Sequence, residues 1–295
     1  MPGEFDFIHW IRSQTARFDH VLVGPGDDLA VLKWPADDLL IVGVDQVLDG
    51  VHFDSAVHEP AEIGRKVMNR NLSDCAAMAC LPAAGVATVA LPKTRGIDYA
   101  KELFFGMKSA ADVFNFPVVG GDTASWDGKL AMTVTILGRS AGIEPVRRSG
   151  AKAGDTIYVT GPLGGSIIGR HMSFTPRIEL ARELAKQHRL HAMIDISDGL
   201  SRDLRHICRQ SGVGAIIEAV LVPIHDDAVA LSQRDGVPAL QHALHDGEDH
   251  ELLFTAEAPI AGAVRIGRIV PGDQIMLDTG TEQIPLELKG WEHRL

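Results

Sequence analysis

The residues with the most chemical content in this 295-residue chain are carboxylates set beside glycine or at the polar ends of apolar runs. Asp27 and Asp28 lie in Gly24-Pro-Gly-Asp-Asp28, and Asp45 follows the apolar run 38–44. Asp74 closes Asn71-Leu-Ser-Asp, and Asp122 follows Gly120-Gly121. Asp195 and Asp198 bracket Ile196-Ser197 ahead of Gly199, and Glu248 and Asp249 follow Gly247. Glycine lets a backbone or ligand approach closely, and α/β proteins place functional groups where buried strands end. Taken singly, each is an ordinary turn or cap residue, because Asp-Gly favours turns and Asp caps helices. Convergence changes the physics. Two bare carboxylates ~4 Å apart repel by about 4 kcal/mol at an effective dielectric of 20. Four or more in one cleft would outweigh a typical domain stability of roughly 5–15 kcal/mol. Such a cluster persists only with cations or raised pKa values. Magnesium suits it, as a hard ion that takes carboxylate oxygens and keeps positions open for phosphate.

Composition narrows the field. A net charge of −11 and a pI near 5.6 disfavour a nucleic-acid partner, whose phosphates an acidic surface repels. Metal-bridged nucleotides escape that exclusion. Cys75, Cys80 and Cys208 form no CxxC pair, so reduced thiols in the cytoplasm are expected. The start, Met1-Pro-Gly-Glu-Phe-Asp6, has no basic-then-apolar signal, and no apolar run reaches a membrane span. There is no GxxxxGK[ST], no protein-kinase motif set, no GxSxG and no HExxH. Gly161-Pro-Leu-Gly-Gly-Ser166 is glycine-rich but is followed by no lysine.

The elements that must position these groups follow from periodicity. Residues 38–44 read as a strand delivering Asp45 at its end, and 117–122 as a strand ending at Asp122. Pro60 opens a helix with Ile63, Val67, Met68 and Leu72 on one face; a second helix covers about 97–114. Asp127-Gly128 is a turn, and Leu130–Leu137 a β run with Met132, Val134 and Ile136 alternating. The polar, basic stretch 139–154 marks a domain boundary. Beyond it come strands at 156–160, 192–196, 213–223 and 251–255, and helices around 176–188, 201–210 and 225–245. Alternation in both halves predicts an α/β (α+β) chain of two domains, 1–145 and 146–295.

In their joint order these residues resemble the thiamine-monophosphate kinase family, within the aminoimidazole-ribonucleotide-synthetase-like ATP-binding superfamily. The motifs are Gly26-Asp-Asp28, Val44-Asp45 with Gly50-Val-His-Phe53, Arg65-Lys66 with Asn71–Met78, and Gly120-Gly-Asp-Thr123. They continue with Arg148–Asp155, Asp195-Ile-Ser-Asp-Gly-Leu200, Gly247–Phe254 and Lys289-Gly-Trp291. The resemblance implies ATP-dependent phosphorylation of thiamine monophosphate by direct transfer, with Mg2+ and ATP, in a homodimer joined through the N-terminal sheet. It implies magnesium ligands at Asp28, Asp45, Asp74, Asp122, Asp195 and Asp198. ATP contacts fall on Phe105, Gly121, Asp122, Arg148 and Ser197, and substrate contacts on His52, Glu248 and Trp291. The catalytic set is Asp74, Asp122, Arg148 and Asp198. On this reading, acidic groups from both halves share one pocket.

The chain also departs from the family. Gly43-Val44 stand where a Ser/Thr pair usually precedes the aspartate, and Asp246-Gly-Glu-Asp-His250 replaces Gly-Gly-Glu-Asp-Tyr. The segments between Gly165 and Asp195 and between Phe254 and Ile266 are short. Two alternatives therefore stay open: a sister ATP-dependent enzyme with another small substrate, and a module that binds nucleotide or thiamine phosphate without turnover. No reactive cysteine lies before Cys75 or at the terminus Trp291-Glu-His-Arg-Leu295, which disfavours the selenophosphate-synthase and maturation-factor branches.

Overall fold

The computed structural model describes residues 10–15, 17–23, 30–257 and 259–291. The chain divides into two compact units. One runs to Cys75 and resumes at Cys80–Gly142; the other comprises Ala76–Ala79 and Ile143–Leu295.

The first unit holds a short antiparallel ribbon, β1 (Val21–Val23) with β2 (Val31–Leu32). Its main sheet uses β3 (Leu40–Leu48), β4 (Leu81–Pro92), β5 (Val118–Trp126) and β6 (Ala131–Arg139) in the order β3-β6-β4-β5. β6 pairs antiparallel with both β3 and β4, while β4 and β5 run parallel. Helix α1 (Pro60–Ala77) precedes β4, and α2 (Ile97–Val113) crosses from β4 to β5, the connection a parallel pair requires. Along β6 the buried Met132, Val134 and Ile136 alternate with half-exposed Thr133, Thr135 and Leu137. Ile63, Val67, Met68 and Leu72 of α1 are all fully buried, and Met68 Cε would lie 3.6 Å from a Cβ on Gly85 of β4.

Glycine sets how closely the two helices meet. A Cβ on Gly64 would lie 2.0 Å from the Leu103 carbonyl oxygen, and one on Gly106 would lie 2.0 Å from that of Ala61. Both distances are far inside van der Waals contact, so the helix backbones touch at reciprocal glycines.

Two expectations change here. β3 continues through Asp45 to Leu48 because its ladder with β6 extends to Leu48–Ala131. β5 likewise continues past Asp122, whose partner on β4 is Thr88, to Trp126. Both aspartates are therefore mid-strand. Asp127-Gly128 follows the end of β5, and β4 lies between β5 and β6 in the sheet.

The second unit contains β7 (Thr156–Val159), α3 (Ile178–Gln187), β8 (Leu190–Asp195), α4 (Leu200–Ser211) and β9 (Gly214–Glu218). Then come α5 (Asp226–Asp235), α6 (Ala239–His245), β10 (Leu252–Ala256), β11 (Val264–Val270), β12 (Ile275–Asp278) and β13 (Gln283–Pro285). The seven-stranded sheet has the order β13-β12-β9-β11-β7-β10-β8 and is antiparallel except at β12–β9. Its core joins Ile157, Val159, Ile194, Leu200, Leu204, Ile207, Ile217, Leu253 and Ile266. The strand expected over 213–223 stops at Glu218, where Ala219–Leu221 makes a 3-10 turn. The helical stretch 225–245 is two helices, broken by Gly236 at φ 77° and by Pro238. The mixed α/β (α+β) architecture agrees with the sequence expectation. Among the described residues no helix is long and apolar enough to cross a membrane. The three cysteines are buried and form no disulfide.

Candidate active site

In the second unit three segments meet around Ser197 and Asp198. β8 ends at the buried Asp195, and Ile196 continues its hydrogen bonding: its N–H donates to the Glu251 carbonyl and its carbonyl accepts from His250 N–H, each at 2.8 Å. Glu248 N–H donates to the Ser197 carbonyl at 2.8 Å, and Trp291 N–H to the Asp198 carbonyl at 3.0 Å. The backbones approach so closely that a Cβ on Gly247 would lie 2.4 Å from Ser197 O. One on Gly290 would lie 2.3 Å from Asp198 O, and one on Gly199 would lie 2.7 Å from His245 O. The structure thus brings together Asp195, Ser197, Asp198, Glu248 and Trp291. Trp291 is half exposed.

The loop behind this junction is strained and tightly held. Glu248 (φ 64°) and His250 (φ 53°) adopt left-handed backbone without being glycine. The buried Asp249 carboxylate accepts from Gly164 N–H (2.9 and 3.0 Å) and from Arg170 (3.0 Å). Burial nonetheless pushes its pKa up to about 7, with the Asp246 carboxylate adding to the rise. The Glu251 carboxylate accepts from Thr160 Oγ1 (2.6 Å) and from Arg177 Nη2 (2.5 Å) and Nε (3.0 Å). The His250 ring stacks on Phe174, centroids 3.9 Å apart, and its Nδ1 stands 3.6 Å from Asp195 Oδ2. Gly161–Gly165 pack as backbone: a Cβ on Gly164 would lie 2.6 Å from Ala243 N, and one on Gly165 2.4 Å from Ala228 N. The role of this glycine loop within the unit is close packing.

Sequence reasoning did not single out Asp203 and His206 on α4. Asp203 Oδ2 accepts from the N–H groups of Asp198 and Gly199, both at 3.1 Å. One carboxylate oxygen each from Asp198 and Asp203 and one ring nitrogen of His206 all lie within 4.8 Å of one another. Burial drives the Asp203 pKa well up, and the Asp195 and Asp198 carboxylates push it further. The Asp198 N–H and the Arg148 guanidinium only partly oppose this. Burial, and then Arg148, lower the pKa of His206 while Asp198 raises it. Arg148 is itself exposed, so its guanidinium stands beside this acidic group with room to meet a phosphate. The signal for Asp203 was its spacing, five residues after Asp198 at a helix start, close to a capping-box pattern.

In the first unit Asp45 accepts from Arg70 Nε at 2.9 Å. Asp74, one turn further along α1, stands on the same side of the sheet: its Oδ2 lies 4.0 Å from where a Gly43 Cβ would be. Asp122 is placed differently. Cross-strand partners form one row Asp45–Val134–Ala87–Gly121 and another Gln46–Thr133–Thr88–Asp122. Because adjacent rows face opposite ways, Asp122 and Asp45 point from opposite faces, and Asp122 is exposed. The buried His52 closes the turn after β3: its Nδ1 accepts from Leu48 N–H at 3.0 Å, which leaves the ring proton on Nε2. Phe105 is half exposed and packs edge-on against Trp10 at 4.9 Å. Asp27 and Asp28 lie outside the described residues.

The donor chemistry fits a divalent cation. Hard carboxylate oxygens dominate, and in the second unit a buried carboxylate lies against two others, an arrangement that a cation relieves. With the exposed Arg148, the group can receive a metal-bound polyphosphate.

Comparison with known proteins places the chain in a family. Residues 26–140 match the model of the AIR synthase related protein N-terminal domain, and residues 166–277 that of its C-terminal domain. A thiamine-monophosphate kinase from Rhodopirellula baltica is 38% identical over 285 residues, covering 90% of this chain and 89% of that protein. The Bacillus subtilis thiamine-monophosphate kinase is 31% identical, covering 98% and 99%. Among solved structures, the thiamine-monophosphate kinase of Stenotrophomonas maltophilia K279a superposes with a TM-score of 0.81 at 33% identity, covering 94% of this chain and 96% of that one. AaThiL complexed with AMPPCP and TMP has a TM-score of 0.78 at 26% identity, covering 99% and 97%.

Proposed function

Since this chain belongs to the thiamine-monophosphate kinase family, we propose that it transfers the γ-phosphoryl group of ATP to thiamine monophosphate, yielding thiamine diphosphate and ADP. The observation that supports the proposal is the junction of Asp195, Ser197 and Asp198 with Glu248 and Trp291 on one backbone framework, residues to which we give nucleotide and acceptor roles. The solved relative that holds AMPPCP and TMP together supports the same pairing of ligands.

Phosphoryl transfer asks the protein chiefly to position two anions and neutralise charge. We assign magnesium binding to Asp28, Asp45, Asp74, Asp195 and Asp198, and to Asp122, which faces the other side of the first sheet from Asp45 and so serves a different ion. When bound, magnesium supplies Lewis-acid neutralisation of phosphate oxygens. Arg148 offers a charge-assisted fork to a phosphate, and Ser197 a hydroxyl. Glu248 and Trp291 orient the acceptor, with the indole on the thiazolium or pyrimidine ring. His52 serves as a substrate contact, and transfer is direct, in line, with no phospho-enzyme. Phe105 and Gly121 line the nucleotide, Gly121 by close approach.

A homodimer through the first unit's sheet belongs to the same reading. Val42 and Val44 on β3 are 59% and 63% exposed beside Thr135 and Leu137 of β6, an apolar face suited to burial. A cytoplasmic setting accords with three cysteines that form no disulfide.

The test is a magnesium-ATP assay with thiamine monophosphate against a panel of phosphorylated metabolites, together with titration calorimetry. Rapid ADP release with thiamine monophosphate alone is expected. Faster turnover of another metabolite would point to a sister enzyme, and nucleotide binding without ADP release to a binding module. Asp74→Asn or Asp122→Asn should abolish turnover with the fold intact; near-wild-type rates at limiting magnesium would refute the metal assignment.

A further inference from the structure

We infer that Asp203 is a positioning residue of the phosphoryl-transfer site: its buried carboxylate fixes the Asp198–Gly199 turn and so sets where Asp198 presents its side chain and carbonyl. The inference rests on the proposed kinase reading and adds to it a residue that contacts neither substrate.

The geometry is local. Gly199 is the N-cap of α4 but has no side chain to cap with, and its φ of 110° is reached readily only by glycine. A turn of that kind is intrinsically loose. Asp203 removes the looseness from inside the first helical turn by taking the N–H groups of Asp198 and Gly199 on one oxygen, both at 3.1 Å. The side chain is 1% exposed, so water does not compete for those donors. The same turn carries the rest of the site. Its Ser197 carbonyl receives Glu248 N–H, and its Asp198 carbonyl receives Trp291 N–H. A displaced turn would therefore move a proposed metal ligand and both acceptor contacts together. Groups that orient ligands from behind commonly cost 10–100-fold in metal affinity or activity when lost.

Two substitutions separate placement from charge. Asp203→Asn removes the charge and keeps an acceptor oxygen in place. Asp203→Glu keeps the charge and shifts the oxygen by one methylene. Binding of Mn2+-ATP is read by electron paramagnetic resonance, with KM for ATP and thiamine monophosphate and the Tm measured alongside. The expected result is Mn2+ affinity within about threefold of wild type for Asp203→Asn and roughly 10–100-fold weaker for Asp203→Glu. Both KM values should rise in the Glu variant at temperatures where it is folded. Equal binding by the Glu variant and wild type, with only Tm lowered, would reduce Asp203 to a fold-stabilising cap and overturn the inference. So would an Asn variant as weak as the Glu variant. A wild-type protein that binds Mn2+-ATP yet never phosphorylates thiamine monophosphate would sink the kinase reading instead, and the binding comparison would still decide the role of Asp203.

Discussion

Trp291 donates its backbone N–H to the carbonyl of Asp198 at 3.0 Å, and Gly290 beside it approaches that same oxygen more closely than any Cβ would permit. The chain's last described residues are thus seated on the loop that carries a proposed metal ligand. Gly290 also has φ 140°, so a side chain there is strained as well as crowded. Gly290→Ala should unseat Trp291 and raise KM for thiamine monophosphate at least several-fold with a smaller change in KM for ATP. Steady-state kinetics with each substrate varied provide the check.

The Gly64–Gly106 contact predicts a stability effect opposite in sign to helix propensity. Ala in place of Gly in a helix ordinarily stabilises by roughly 0.5–1 kcal/mol. Here the new methyl would meet the Ala61 carbonyl at 2.0 Å. Gly106→Ala should destabilise by about 1–3 kcal/mol through overpacking and lower Tm by several degrees. Thermal denaturation is the measurement, with an exposed helix position as control.

Asp249 predicts a pH dependence. Its carboxyl rises from 3.8 in the unfolded chain to about 7 in the fold, chiefly through burial. The folded state therefore binds more protons across that window, and the contribution to stability is full below 3.8 and lost as pH rises through about 7. Asp249→Asn keeps an acceptor for Gly164 N–H and should flatten the fall in Tm between about pH 4 and 7. An unchanged Tm–pH profile would remove Asp249 from the account.

Arg177 and Glu251 form a fork that is buried on one side only. Removing Arg177 leaves a carboxylate 5% exposed with Thr160 as its main remaining donor. Because the Arg177 side chain is 41% exposed, solvent softens the loss. Arg177→Ala should cost about 1–2 kcal/mol, and Arg177→Lys less, by chemical denaturation.

Much of the second unit's site was legible because its pieces are local in sequence. Asp195-Ile-Ser-Asp-Gly-Leu200 is a strand end, a turn and a helix start in consecutive residues. What escaped notice depends on long separations or on ladders. Arg177–Glu251 and Arg170–Asp249 join residues 74 and 79 positions apart, and no periodicity marks them. Asp45 and Asp122 read as strand ends because the apolar runs stop there, whereas cross-strand hydrogen bonding carries both strands several residues further. β4 went unread because Leu81-Pro-Ala-Ala-Gly-Val shows neither a two-residue alternation nor β-branched enrichment; its pairing with β5 and β6 makes it a strand. Asp203 looked like one more polar residue on an amphipathic helix; its burial and its bonds to the Asp198 and Gly199 N–H groups set it apart.

With Arg70 held against Asp45, the first unit carries its own internal counter-ion. That carboxylate is neutralised before any metal arrives, so folding of this region is not hostage to the ion supply as it is in a zinc finger. Chelation should silence the protein without unravelling it, and activity should follow magnesium concentration reversibly, each cycle returning Asp45 to the arginine.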